Sequence, residues 1–176
     1  MFNGRLSTLA SNRAHVAEAC KRADLLIGGV LIPGASAPKL VSREMIRDMK
    51  KGSVIVDVAI DQGGCVETAK ATTHSNPVYE VDGVIHYCVA NMPGAVPRTS
   101  TIALTNATLP YIRKIANLGF EAAVKESSGL AEGVNVMQGK ITCQPVAESQ
   151  NREYAPLAQF LSGLPGSNPQ RTTRAS

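Results

Sequence analysis

Two short stretches of this 176-residue chain set reactive side chains where a bound molecule can reach them. The first is Asp61-Gln62-Gly63-Gly64. It ends the run Ser53 to Ile60, nearly unbroken apolar sequence that is β-branched at Val54, Ile55, Val56, Val58 and Ile60. Such a run describes a strand with helices on both faces, since neither face then meets water. Ligands of open parallel sheets sit beyond the carboxyl ends of the strands, and paired glycines let backbone approach a ligand closely. Asp61 is therefore either a carboxylate in contact with a bound molecule or an Asp that merely ends the strand in an Asx turn. The second stretch runs from Ala90 to Ser100, with Pro93, Gly94 and Pro97 fixing its course. Asn91 offers both a donor and an acceptor. Met92 is soft enough to lie against a flat ring, or simply to fill a gap.

Other reactive side chains carry less. His15 opens a helical stretch and His74 lies in a turn-rich loop, positions where an imidazole is usually solvated. His86 falls in the apolar strand Val84 to Val89 and is expected to be a hydrogen-bonded structural group. The four cysteines, at 20, 65, 88 and 143, form no Cys-x-x-Cys pair. Their apolar or small neighbours make them reduced packing residues rather than zinc ligands or half-cystines. No metal site is expected.

These loops need strands and helices to hold them. Arg5 to Ala10 has the pattern of a short strand, and Ser11-Asn12 breaks it. His15 to Ala23 places Val16, Ala19, Cys20 and Ala23 at helical spacing. Leu25 to Val30 is a second buried strand, followed by the Pro33-Gly34 to Pro38 loop. Ser42 caps a helix whose buried face is Met45, Ile46 and Met49. Strand, helix, strand, helix, strand implies right-handed crossovers and a parallel sheet. Glu67 to Pro77 is polar and turn-rich. Farther on, Ser100 is expected to cap one helix and Thr108 a second, with Pro110 early in it and Leu109, Ile112, Ile115, Ala116 and Phe120 as its buried face. Val134 to Met137 and Ile141 to Cys143 suggest a hairpin. The tail from Leu164 has nothing to bury and is expected to be disordered.

Composition sets outer bounds. The hydrophobic fraction of 44% is ordinary for a globular chain with a core. No stretch is long enough to cross a bilayer, and Met1-Phe2-Asn3-Gly4-Arg5 leads into no apolar signal-like segment, which places the chain in the cytoplasm. The net charge of +4 comes from scattered basic residues without interleaved aromatics, which argues against nucleic acid as a partner.

Several of these segments together closely resemble bacterial alanine dehydrogenase. They are Leu31-Ile32-Pro33-Gly34, Ala37-Pro38-Lys39-Leu40-Val41, Gly52 to Gly64, His86-Tyr87, Val89 to Leu109 and Tyr111. The resemblance covers roughly Gly4 to Glu148. The nucleotide-binding subunit of proton-translocating nicotinamide nucleotide transhydrogenase shares the Leu-Ile-Pro-Gly loop and the central strand. That family typically carries Glu-Ala-Gly-Gly or a relative after the strand, and a different loop in place of Asn-Met-Pro-Gly-Ala-Val-Pro.

The resemblance implies an α/β fold: the second half of a doubly wound parallel, Rossmann-like sheet, followed by helices of a substrate domain. Residues 1–96 would then be part of an NAD-binding domain, 97–150 the carboxyl-terminal helical part of the substrate domain, and 151–176 a variable, disordered tail. It also implies reversible oxidative deamination of L-alanine to pyruvate and ammonia with NAD as hydride acceptor. By the same resemblance Asp61 is the active-site aspartate. Asn91 and Met92 line the nicotinamide end, while Ser11, Val30 and Leu31 lie near the adenine and its ribose. The family is homo-oligomeric, hexameric as complete subunits. No Gly-x-Gly-x-x-Gly fingerprint occurs here, and in the family that motif, the substrate-binding arginine and lysine and the acid–base histidine lie upstream of the matching segment. The chain is accordingly expected to be the carboxyl-terminal half of the enzyme, inactive alone. A transhydrogenase-type nucleotide-binding module and a non-catalytic remnant are the competing readings.

Overall fold

The computed structural model describes Gly4 and residues 6–161. The chain divides into two compact units, one of residues up to 32 together with 36–95, the other of 33–35 together with 96 onward.

The first unit begins with α1 (Arg13–Arg22). Asn12 caps it, its side chain accepting the His15 N–H at 2.8 Å. Leu6 to Ala10 carry no regular structure, so the strand expected from Arg5 to Ala10 does not form over the described part. Alternating small apolar residues do not make a strand unless another strand supplies the hydrogen bonds. After α1 come β1 (Leu25–Gly28), α2 (Arg43–Arg47) and β2 (Val54–Asp57), then β3 (Val78–Val81) and β4 (Val84–Tyr87). Ser42 caps α2 as expected, and Met45, Ile46 and Met49 are buried.

The four strands lie in the order β1-β2-β4-β3, with β1, β2 and β4 parallel and β3 antiparallel at the edge. The sheet is thus mixed, and β3 was not legible because Tyr79 and Glu80 break the apolar run that marked its neighbours. One face packs under α1 and α2 around Ile46, Ile55, Val66 and Val84. The other face is open: Leu25 is 56% and Ile27 64% exposed. The expectation that these strands are buried on both faces is corrected by that exposure. β2 also stops earlier than the apolar run does, at Asp57, and Val58–Gln62 coil into a 3-10 turn.

The second unit is led by α3 (Pro97–Leu118), followed by α4 (Phe120–Glu126) and α5 (Ser128–Glu132). α3 is one continuous helix, not two. Pro97 sits in its first turn, where a fixed φ and a missing N–H cost nothing, so Ser100 lies inside the helix. Thr108 is likewise no cap, because its Oγ1 donates back to the Leu104 carbonyl at 2.8 Å. Pro110 is interior. The expected buried face is exposed, with Leu109 at 44% and Ile112 at 58%. The apolar stripe is present, but nothing among the described residues covers it. The hairpin forms as β5 (Val136–Met137) and β6 (Lys140–Ile141), turned by Gln138 and Gly139, both at positive φ. α6 (Gln144–Ser149) follows. Of the tail expected to be disordered, residues 151–161 are instead ordered, with Tyr154 bridged to Ile141, a 3-10 turn over Leu157–Gln159 and Leu161 buried, while the part from Leu164 lies outside the described residues.

Candidate functional site

Parallel strands point their carboxyl ends the same way, so β1, β2 and β4 send three loops to one edge of the sheet. Gly29 to Leu31 leave β1, Val58 to Gly64 leave β2, and Cys88 to Met92 leave β4. Five of the six residues singled out from the sequence, Val30, Leu31, Asp61, Asn91 and Met92, stand on these loops. Ser11 precedes α1, which enters β1 through Ala23-Asp24 and so runs back along the sheet from this same edge. The Arg13–Glu44 ion pair at 3.3 Å joins the starts of α1 and α2 there.

Asp61 lies exposed in the 3-10 turn, and no hydrogen bond or ion pair among the described residues engages its carboxylate. Beside it Gln62 Oε1 is buried with no partner among the described residues, an acceptor that a donor on a ligand would complete. Asn91 adopts φ 57°, in the left-handed region. Its carbonyl is 3.1 Å from His74 Nε2, and because a carbonyl only accepts, His74 is the donor. The expectation that His74 is simply solvated is therefore refined: it holds the Asn91 backbone. A Cβ on Gly94 would come within 3.1 Å of Asn91 Nδ2, so the glycine gives that side chain room.

The turn that presents Asp61 is organised by a residue the sequence did not flag, Asp57. It is fully buried, and its carboxylate accepts the N–H groups of Ala59 at 3.1 Å, Cys65 at 2.9 Å and Val66 at 3.1 Å. Three N–H donors satisfy the acceptor capacity that burial would otherwise leave unmet. The Cys65 thiol lies 3.7 Å from the same group, and burial together with the Asp57 charge raises its pKa above the ordinary thiol value. Gly28 and Gly64 flank this carboxylate, and a Cβ on Gly64 would stand 2.7 Å from Oδ2. One sequence signal was available: an acidic residue inside an otherwise apolar strand is almost never unpartnered.

On the β3–β4 pair a second polar cluster surrounds His86, which is fully buried, with Thr68 and Tyr79 half-buried beside it. His86 Nδ1 is 3.0 Å from the Val84 carbonyl and Nε2 2.7 Å from Thr68 Oγ1. The carbonyl requires the proton on Nδ1, leaving Nε2 to accept from the threonine. Tyr79 stacks on the imidazole at 5.0 Å and donates to the Thr68 carbonyl at 2.9 Å. His86 is the structural group expected of it.

Residues 1–144 match the family described as alanine dehydrogenase/PNT, C-terminal domain. The chain is 55% identical over 160 residues to the alanine dehydrogenase of Halomonas elongata, covering 91% of this chain and 43% of that protein. A solved L-alanine dehydrogenase superposes with a TM-score of 0.70 at 51% identity, over 85% of this chain and 41% of that one. The transhydrogenase of Sinorhizobium meliloti is more distant, with a TM-score of 0.54 and 34% identity over 65% of this chain and 32% of that one. The chain therefore spans less than half the length of the relatives it matches. The loops at the carboxyl edge, the mixed sheet that carries them and the match over residues 1–144 lead to one conclusion: this chain belongs to the alanine dehydrogenase/PNT C-terminal domain family.

Proposed function

We propose that the chain supplies the carboxyl-edge loops of an NAD-dependent alanine dehydrogenase, a cytoplasmic homo-oligomer that interconverts L-alanine with pyruvate and ammonia. In this reading residues 1–96 form part of the nucleotide-binding domain and 97–150 complete the substrate domain. The observation that carries it is the convergence of Val30-Leu31, Asp61 and Asn91-Met92 on one edge of three parallel strands. The residues present fit such a cofactor. At Gly29 there is open space, with nothing within 4 Å of where a Cβ would stand, and Gln62 Oε1 is an acceptor still without a partner among the described residues. Ser11, Val30 and Leu31 would hold the adenosine end, Asn91 and Met92 the nicotinamide end. NAD, when bound, supplies the hydride acceptor.

The chain's own contribution is electrostatic. Asp61 presents an exposed carboxylate at the edge. There it would stabilise positive charge on the substrate's imine nitrogen and orient the water or ammonia that exchanges with it. The half-buried apolar Val30 and Met92 would limit the water around that charge, and low local polarity strengthens its attraction to the carboxylate. The relatives are named alanine dehydrogenases, which supports the substrate class.

The test is Asp61→Asn, in this chain combined with the amino-terminal portion of the Halomonas relative. The amide keeps size and hydrogen bonding but not charge. Turnover with L-alanine should fall about 100-fold or more while NAD affinity holds. Full turnover with NAD binding lost would make Asp61 a cofactor holder instead.

A further inference from the structure

The turn bearing Asp61 is gripped from two sides by opposite charges. Inside, Asp57 collects N–H groups from both ends of the excursion, Ala59 at its start and Cys65 and Val66 at its finish. Outside, the ammonium of Lys39 collects carbonyls: Gly63 at 2.5 Å, Gly64 at 2.9 Å and Val66 at 3.3 Å. An ammonium has three donors and no acceptor, so three carbonyls use its capacity in full. Backbone bonds stitch the same two segments together. Ala37 N–H donates to the Gln62 carbonyl at 2.9 Å and Leu40 N–H to that of Cys65 at 2.8 Å, while Glu67 N–H returns to Val41 at 2.9 Å. Within the turn, Gly64 N–H closes onto the Ala59 carbonyl at 2.9 Å. Asp61 stands at the middle of this clamped loop with its own carboxylate free of partners among the described residues.

We propose that Lys39 and Asp57 are positioning residues that together fix the turn carrying Asp61 at the carboxyl edge of the sheet, Asp57 through its N–H groups and Lys39 through its carbonyls. The physical need is plain. The turn contains Gly63 at φ 89° and Gly64 at φ 74°, residues that lose more conformational freedom on ordering than any other. A carboxylate borne on such a segment aims at nothing unless charge-assisted bonds hold the backbone. Lys39 is the informative member because it is exposed, and so can be changed without emptying the core. The inference rests on the reading of Asp61 given above for its catalytic consequence, but not for the clamp itself.

Amide hydrogen exchange on the full chain decides it. In Lys39→Gln the amides of Gly63, Gly64 and Cys65 should exchange about ten-fold faster or more, while those of β1 and β2 keep their rates. Lys39→Arg, which keeps the charge and several donors, should restore part of the protection. Unchanged protection in Lys39→Gln overturns the proposal, since the lysine then holds nothing. A loss spread evenly over the turn, β1 and β2 also overturns it, since the lysine then serves the fold as a whole. In the preparation made active by the amino-terminal portion of the Halomonas relative, Lys39→Gln should lower kcat about ten-fold with little change in KM for NAD. In an Asp61→Asn background it should lower kcat no further, as residues acting through one another are non-additive. Simple additivity would show that Lys39 does not act through Asp61. An Asp61→Asn protein with full turnover, beside a loosened turn in Lys39→Gln, would refute the reading of Asp61 while upholding the clamp.

Discussion

Single residues at this sheet edge are constrained by atoms that can be named. Gly63 and Gly64 both sit at positive φ, yet only Gly64 faces a wall, with Asp57 Oδ2 2.7 Å and the Ala69 Cβ 3.0 Å from where its own Cβ would lie. Gly63→Ala should therefore cost only the left-handed backbone penalty, about 1–2 kcal/mol. Gly64→Ala adds displacement of a buried carboxylate and should cost clearly more, roughly 3 kcal/mol or above. Chemical denaturation of the two variants side by side checks the difference, and equal losses would mean that Asp57 moves freely. His86 gives a pH test. Burial pushes its imidazole below the ordinary range, against a smaller opposing pull from the Val84 carbonyl and the Asp57 charge. Since its pKa is lower folded than unfolded, the unfolded chain takes up the proton first. The stability it contributes is whole above the unfolded value of about 6.5 and is lost as pH falls through that value toward the folded one. The melting temperature should drop between about pH 7.5 and about pH 5.5, and His86→Gln should flatten that slope. A wild-type slope unchanged in the variant would assign the titration elsewhere.

At the scale of elements, α3 shows how a local rule can misplace a boundary. Pro110 removes the N–H that would bond the Asn106 carbonyl, yet the helix continues from Pro97 to Leu118. Helix-interior proline costs about 3 kcal/mol relative to alanine, and Pro110 is exposed, so little packing offsets that cost. Pro110→Ala should raise helicity by circular dichroism and stabilise the second unit by about 1–3 kcal/mol. A destabilised variant would show that the proline itself is needed at this position. The sequence supported two helices here because Thr108 before Pro110 has the form of a start signal, and only the carbonyl that Thr108 Oγ1 bonds, Leu104 at 2.8 Å, reveals an interior position. Elements set by local chemistry were legible: the Ser42 cap, the Gln138-Gly139 turn and the parallel β1, β2 and β4 with their polar carboxyl-end loops. Elements set by a neighbour were not. β3 exists because β4 pairs with it, and β2 stops at Asp57 because the carboxylate takes N–H groups that lie far along the chain, at Cys65 and Val66. For the candidate site, the loops could be located from sequence, whereas the clamp of Asp57 and Lys39 required seeing which backbone groups come together.

Taken as a whole molecule, the chain leaves many large apolar side chains exposed among its described residues. Along α3 and into α4, Ile102, Leu104, Leu109, Ile112, Leu118 and Phe120 are all at least 40% exposed, and α3 buries no residue at all. On the first unit, β1 ends the strand order with an edge that no strand among the described residues pairs, and it turns Leu25 and Ile27 to solvent. Contiguous apolar patches of more than a few hundred Å² mark surfaces that another polypeptide covers, and an uncovered strand edge offers its N–H and C=O groups to any passing strand. Burying one such leucine or isoleucine side chain gains about 1.5–3 kcal/mol, so a handful is enough to drive association at ordinary protein concentrations. The chain by itself should therefore self-associate, its mass by light scattering rising with concentration. Charges placed on the stripe, as in Leu109→Lys with Ile112→Lys, should lower that mass without lowering the melting temperature, since neither side chain is buried. The amino-terminal portion of the Halomonas relative should lower it in wild type by covering the same surface in a defined complex. A clean monomer with a sharp cooperative melt would show that these side chains tolerate water, and that the relatives' remaining length is not what they await.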